Sequence, residues 1–143
     1  MSWLKSMMEK EPPEAEKPIG TVVIGNLKPD VHDTAKETVR KALKRAGFKT
    51  IDVGKVAPPE TFIAKAKESN ADIIAVSINT RPAKENIAKL DALLKESGLK
   101  EKVTVMMGGA AIKKEDAEAV GAIYGKNKDD AVEIAKKVIA EKA

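Results

Sequence analysis

The chain is predicted to adopt an α/β fold. It should be Rossmann-like and doubly wound, with a five-stranded parallel sheet in the flavodoxin-like order 2-1-3-4-5. Three observations predict it. From Gly20 onward, short apolar runs alternate with amphipathic stretches of helical period, the pattern of repeated strand, crossover and strand. Several runs, such as Val22-Val23-Ile24 and Ile73 to Ile78, are nearly continuous in apolar residues, as strands covered on both faces are. Gly47 and Gly98 close two of the amphipathic stretches, where a helix needs a left-handed residue to stop. Right-handed crossovers then place helices on both faces of the sheet.

Residues 1–18 stand apart as an N-terminal peptide and linker, and residues 19–143 form the α/β domain. Trp3, Leu4, Met7 and Met8 share one face of a two-turn helix, and Glu-Pro-Pro-Glu-Ala-Glu-Lys-Pro after them is stiff and charged. The first strand is Thr21 to Asn26. A helix follows from about Thr34 to Ala46, with Val39, Ala42, Leu43 and Ala46 inward. Phe48 to Gly54 alternates in polarity and so belongs near the sheet edge. Pro58 and Pro59 open the second helix, which buries Phe62, Ile63 and Ala66. Asp72 to Ile78 is the most apolar run and should be central. One helix is expected from about Pro82 to Ser97, with Ile87, Leu90, Leu93 and Leu94 inward. The fourth strand runs from Lys102 to Met107 and stops at Gly108-Gly109. A short helix near Lys113 to Ala119, a brief strand Ala122 to Gly125 and a last helix from Lys128 to Glu141 complete the chain.

Composition narrows the function. With 143 residues the chain is one domain, and with no cysteine it holds neither disulfides nor thiolate sites. No run approaches the length of a membrane span, and a cytoplasmic location is expected. The net charge of +4 comes from lysines interleaved with glutamates, and the aromatic share is 3%. That describes solvated helix faces, not a nucleic-acid stripe, so no nucleic acid is expected as partner. A Walker A loop, a G-x-G-x-x-G fingerprint and a G-x-S-x-G nucleophile turn are absent. A phospho-acceptor domain of this fold would need an aspartate at the end of strand three, where Ser77 and Asn79 stand.

The loop after strand one carries the only histidine, His32, between Asp30 and Asp33. Loops at the carboxyl end of such a sheet are where ligands bind, and the switch point between strands one and three brings His32 and Ser77 to one crevice. A neutral imidazole is a good metal ligand, and a carboxylate two residues away can take the proton of its other nitrogen. Each residue also has a plainer role. His32 can be solvated, Asp30 can be a turn residue, and Asp33 or Thr34 can be the helix N-cap. Ser77 can satisfy strand-end backbone groups, and Gly108-Gly109 can merely end a strand.

Asp30-Val31-His32-Asp33-Thr34-Ala35, Asp52-Val53-Gly54 after it, Ser77 and Gly108-Gly109 recur together, in this order, in one family. The chain resembles the cobalamin-binding domain of methionine synthase and of corrinoid proteins in methanogen and acetogen methyltransferase systems, from Gly20 to about Ala140. The resemblance implies a bound cobalamin, base-off and His-on, with His32 as the lower cobalt ligand, Asp30 holding the ring's other nitrogen and Ser77 hydrogen-bonding Asp30. The nucleotide tail would thread past Gly108 and Gly109, which admit close backbone approach. The cofactor-binding set is then Asp30, His32, Asp33, Thr34, Ala35, Ser77, Asn79, Gly108 and Gly109, with His32 the metal ligand and no catalytic residue. The implied role is a methyl carrier whose partner is a barrel-type methyltransferase, or further copies of itself. A small subunit partnering a mutase barrel, or a scaffold without the cofactor, are the alternatives. Departures exist: Ala35 replaces the motif's glycine, Glu37 its usual asparagine, and Asn79 and Arg81 bring polarity towards the tail, where Arg81 could meet the phosphate.

Overall fold

Alternation along the strands sorts the interior into two cores, one on each face of the sheet. The computed structural model describes residues 11–142, so the apolar face at Trp3, Leu4, Met7 and Met8 lies outside the described residues. Strands β1 (Thr21–Leu27), β2 (Lys49–Ala57), β3 (Ile73–Ser77), β4 (Thr104–Gly108) and β5 (Ile123–Tyr124) pair in parallel in the order β2-β1-β3-β4-β5. This is the order the sequence predicts. All five residues of β3 are buried, as expected of the central strand.

On one face, Val22, Ile24, Ile73, Ala75 and Met106 pack against Leu43 of helix α1 (Asp33–Arg45) and Ala131, Ala135 and Val138 of helix α6 (Lys128–Lys142). On the other, Val23, Leu27, Ile74, Val76 and Met107 meet Phe62 and Ala66 of α2 (Pro59–Ser69) and Leu90 and Leu94 of α4 (Ile87–Glu96). The one-turn helices α3 (Arg81–Lys84) and α5 (Lys114–Glu118) complete that second face through Ala83 and Ala117.

Three expectations change. The helix expected over 82–97 is divided into α3 and α4 at a turn in which Asn86 N donates to Ala83 O at 3.0 Å, and there the Asn86 side chain donates to Lys28 O at 2.6 Å. The edge strand β2 continues three residues past Gly54, through a register shift and positive φ at Gly54 and Val56. It does so because it pairs with the loop after β1: Lys28 N donates to Ala57 O and Val56 N to Asp30 O, each at 2.9 Å. Neither Asp33 nor Thr34 caps α1, whose N-cap position is His32 with no side-chain cap bond.

The segment before β1 meets α1 at Glu11. Glu11 is 2.5 Å from Arg40 Nη2 and 2.6 Å from Lys44 Nζ, and Pro12 is buried.

Gly109 ends β4 at φ +125°, and a Cβ there would stand 2.2 Å from Ile78 O. Gly98 also has positive φ, but nothing lies within 4 Å of its Cβ position. Gly109→Ala should therefore lower unfolding free energy by about 3 kcal/mol or more, and Gly98→Ala by about 1 kcal/mol from backbone strain alone. Urea unfolding of both variants measures the difference.

Candidate functional site

The loop leaving β1 is built around one buried carboxylate. Asp30 is fully buried, and an ion there must be hydrogen-bonded to be tolerated. Its Oδ1 accepts the His32 backbone N–H at 2.9 Å and lies 3.0 Å from His32 Nδ1. Its Oδ2 accepts the Asn79 backbone N–H at 2.9 Å, Asn79 Nδ2 at 2.8 Å and Asn26 Nδ2 at 3.3 Å. Burial pushes this carboxyl towards the neutral form, but the bonds from His32, Asn79 and Asn26 together outweigh it and hold the group below the usual aspartate range.

An ionised Asp30 accepts and does not donate, so the neutral His32 ring carries its proton on Nδ1 and presents the Nε2 lone pair outward. The His32 side chain is 64% exposed. The carbonyl of His32 accepts from Asn26 Nδ2 at 2.9 Å and Asn79 Nδ2 at 3.3 Å. The imidazole is accessible while the backbone beneath it is fixed.

Asn79 also donates to Ser77 Oγ at 3.1 Å and accepts Ala110 N through Oδ1 at 3.0 Å. The expected Ser77 to Asp30 bond is thus replaced by an amide bridge: Asn79 stands between them, tying the β3 and β4 ends to the β1 loop.

Beside this hub opens a cleft of about 710 Å³ over β1, β3 and β4, between α1 and α6. Ala35, Ser77, Asn79, Gly108 and Gly109 line it; Asp30, His32, Asp33 and Thr34 do not, and sit at or outside its rim. Arg81 is exposed and is not part of the wall; Lys126, Asn127 and Lys128 supply the polar mouth. The packing of the chain itself requires both glycines. A Cβ on Gly108 would stand 2.7 Å from Gly125 O and one on Gly109 would strike Ile78, so both glycines serve chain-to-chain packing.

One buried, charged wall residue is absent from the sequence reading. Lys36 lines the cleft with its side chain 2% exposed, and its ammonium lies 3.0 Å from Asp33, 3.0 Å from Glu37 and 2.7 Å from Asp52. Burial disfavours its charge, and bonds to Asp52, Asp33 and Glu37 more than restore it. The i, i+3 spacing of Asp33 and Lys36 was the available signal. Asn26, at the end of a buried strand, is the other residue missed.

The matches with known proteins concern this same span. The family model described as the B12 binding domain matches residues 20–135. Trimethylamine corrinoid protein 1 of Methanosarcina acetivorans is 39% identical over 133 residues, covering 92% of this chain and 61% of that protein. Dimethylamine corrinoid protein 3 of Methanosarcina mazei is 40% identical over 141 residues, covering 96% of this chain and 81% of that one. Among solved structures, the methanol:cobalamin methyltransferase complex MtaBC of Methanosarcina barkeri superposes with a TM-score of 0.82 at 26% identity, over 87% of this chain and 48% of that chain. The chain spans about three fifths of the length of the first of these relatives.

Two predictions follow from the charges. Asp30→Ala leaves several buried donors without an acceptor and should cost about 3 kcal/mol in urea unfolding, whereas His32→Ala, at an exposed ring, should cost under about 1 kcal/mol. Glu37 is held at about 2, below its ordinary 4.5, first by its bond to Arg40 and then by Lys36. Glu11 is likewise held at about 2 by Arg40 and Lys44. Both bind protons more readily unfolded, so their stabilisation is complete above about pH 4.5 and is lost as pH falls towards 2. In Glu37→Gln, stability measured across that window should fall less steeply with acid than in the native chain.

Proposed function

The chain belongs to the B12-binding domain family, and from that premise we propose that it is a corrinoid carrier, holding cobalamin base-off and His-on and delivering a methyl group between partner methyltransferases. The observation that carries this reading is the Asp30-oriented His32 ring, exposed and with Nε2 unengaged, on the loop that leads into the cleft wall at Ala35 and Lys36. A single imidazole would suffice to hold a metal whose other ligands come with the cofactor. Among the described residues there is no His, Asp or Glu group that could hold a bare ion. When bound, the corrinoid supplies a cobalt centre that accepts and releases a methyl group.

The chain's own residues position and admit. Asp30 fixes the His32 tautomer and ring orientation, as a carboxylate behind a ligating imidazole does. Asn26 and Asn79 fix Asp30 and the His32 carbonyl. Asn79 carries amide hydrogens that do not titrate, so the path from Asp30 to Ser77 orients without passing a proton. Ala35 adds a methyl where the family motif has glycine, yet it lines the cleft without closing it. That favours a working site over a scaffold that has lost its cofactor, whose cleft would be free to fill with side chains. The methylamine corrinoid relatives favour methyl transfer over carbon-skeleton rearrangement. We take the partner to be a barrel-type methyltransferase subunit and the compartment to be the cytoplasm; among the described residues no helix is long and apolar enough to cross a membrane.

Apoprotein mixed with hydroxocobalamin should retain colour through desalting, with a visible spectrum showing histidine ligation. His32→Ala should lose that spectral signature and bind at least about tenfold more weakly. Absence of retained colour in the native chain would overturn the proposal, and an unchanged spectrum in the variant would remove His32 as ligand.

A further inference from the structure

One side chain in the turn after β3 touches three strand ends at once. Asn79 stands two residues past β3 and lines the cleft. Its Nδ2 lies 2.8 Å from Asp30 Oδ2, 3.1 Å from Ser77 Oγ and 3.3 Å from His32 O, and its Oδ1 accepts the Ala110 N–H at 3.0 Å. Hydrogen bonding fixes which way round the amide stands. Turned over, it would set an oxygen against an ionised carboxylate and a carbonyl, neither of which donates, and an NH2 against the Ala110 N–H.

The oxygen end belongs to the cleft. Gly109, Ala110 and Ile112 in the loop after β4 line it, and that loop is tied to the end of β3 by Ala111 N donating to Ile78 O at 3.2 Å and by the Ala110 bond to Asn79. The nitrogen end belongs to the imidazole. With the Asn79 backbone N–H it supplies two of the three bonds on Asp30 Oδ2, and the other oxygen of the same carboxylate faces the His32 ring. Asn26 is the contrast. It donates to the same carboxylate and to His32 O, but both of those bonds end in the β1 loop, and its buried Oδ1 has no partner among the described residues.

Resting on the corrinoid reading, we propose that Asn79 is a positioning residue that couples occupation of the cleft to the hold of His32 on cobalt. A ligand that steadies the loop after β4 also steadies the Asn79 amide, so the carboxylate behind the imidazole is already ordered when the metal is taken. Binding that has been spared an ordering cost is tighter, with no change of shape required. The coupling is reciprocal: ligation by His32 favours occupation of the cleft by the same factor.

The test offers the two halves of the cofactor separately. Apoprotein is titrated with cobinamide, the corrin without its nucleotide, and read by absorbance, with and without saturating α-ribazole, the benzimidazole nucleoside of the tail. In the native chain α-ribazole should tighten cobinamide binding about tenfold, within the usual span of coupling between sites. In Asn79→Leu, of similar volume but without the amide, the enhancement should fall below about twofold. No enhancement in the native chain, or an undiminished one in the variant, overturns the coupling and leaves the carrier function intact. Failure of the native apoprotein to bind hydroxocobalamin overturns the carrier function itself. If the variant does not fold, NMR of the native apoprotein decides. Adding α-ribazole should shift the Asn79 side-chain NH2 resonances and raise the order of the His32 amide, and an unmoved His32 overturns the proposal.

Discussion

A single ionised carboxylate buried at the end of β1 holds the upper edge of this protein together. Asp30 is the acceptor for the backbone of its own loop, for the backbone and side chain of Asn79 beyond β3, for Asn26 and for the His32 ring. The Asn79 backbone N–H relies on this acceptor, and a shielded donor left without one costs about 1–3 kcal/mol. The interaction that makes the loop rigid is therefore the one that aims the imidazole. In the proposed role as cobalt ligand, an imidazole held in place beforehand loses little conformational freedom on binding. The edge strand adds to this rigidity, since β2 bends out of register to bond Lys28 and Asp30 from the other side.

Much of this is written locally. The layer order is legible because strand-length apolar runs and helical spacing alternate without interruption, and because right-handed crossovers leave few topologies. His32 and Asp30 are legible because a strand end at the switch point has few residues able to do chemistry. What was not legible depends on contacts far apart in the chain. Ser77 and Asn79 are both polar residues at a strand end, and only the turn after β3 decides which of them meets Asp30. The helix break at Asn86 coincides with a side-chain bond to Lys28, 58 residues away in the chain. Gly108 and Gly109 were singled out correctly in place, but the atoms that require them belong to Gly125 and Ile78.

Lys36 shows why a charge pattern misleads when read along one helix. In sequence Lys36-Glu37 looks like part of a solvated face. The edge strand brings Asp52 across α1, and Asp33 and Glu37 close round the same ammonium. Removing a lone ammonium from water costs several kcal/mol, and the surrounding carboxylates offset it only with good geometry. That requirement links α1, β2 and, through Arg40 and Glu11, the segment before β1 into one charged girdle.

The girdle and the cleft are complementary consequences of where this sheet spends its apolar residues. The α2 and α4 face is packed with Phe62, Ile74, Leu90 and Leu94, and it is the larger core. The α1 and α6 face has a smaller core and places Ala35, Ala75, Gly108, Gly125 and Ala131 round its upper half. Small side chains there leave the covering helices apart at their N-terminal ends, and an open wall forfeits the contacts that a filled one would have. The pairs of Lys36 and Arg40 with Asp52 hold α1 to β2 while the cleft beside them stays open. One face can thus remain open for a ligand while the other, with the Asp30 hub above it, keeps the fold.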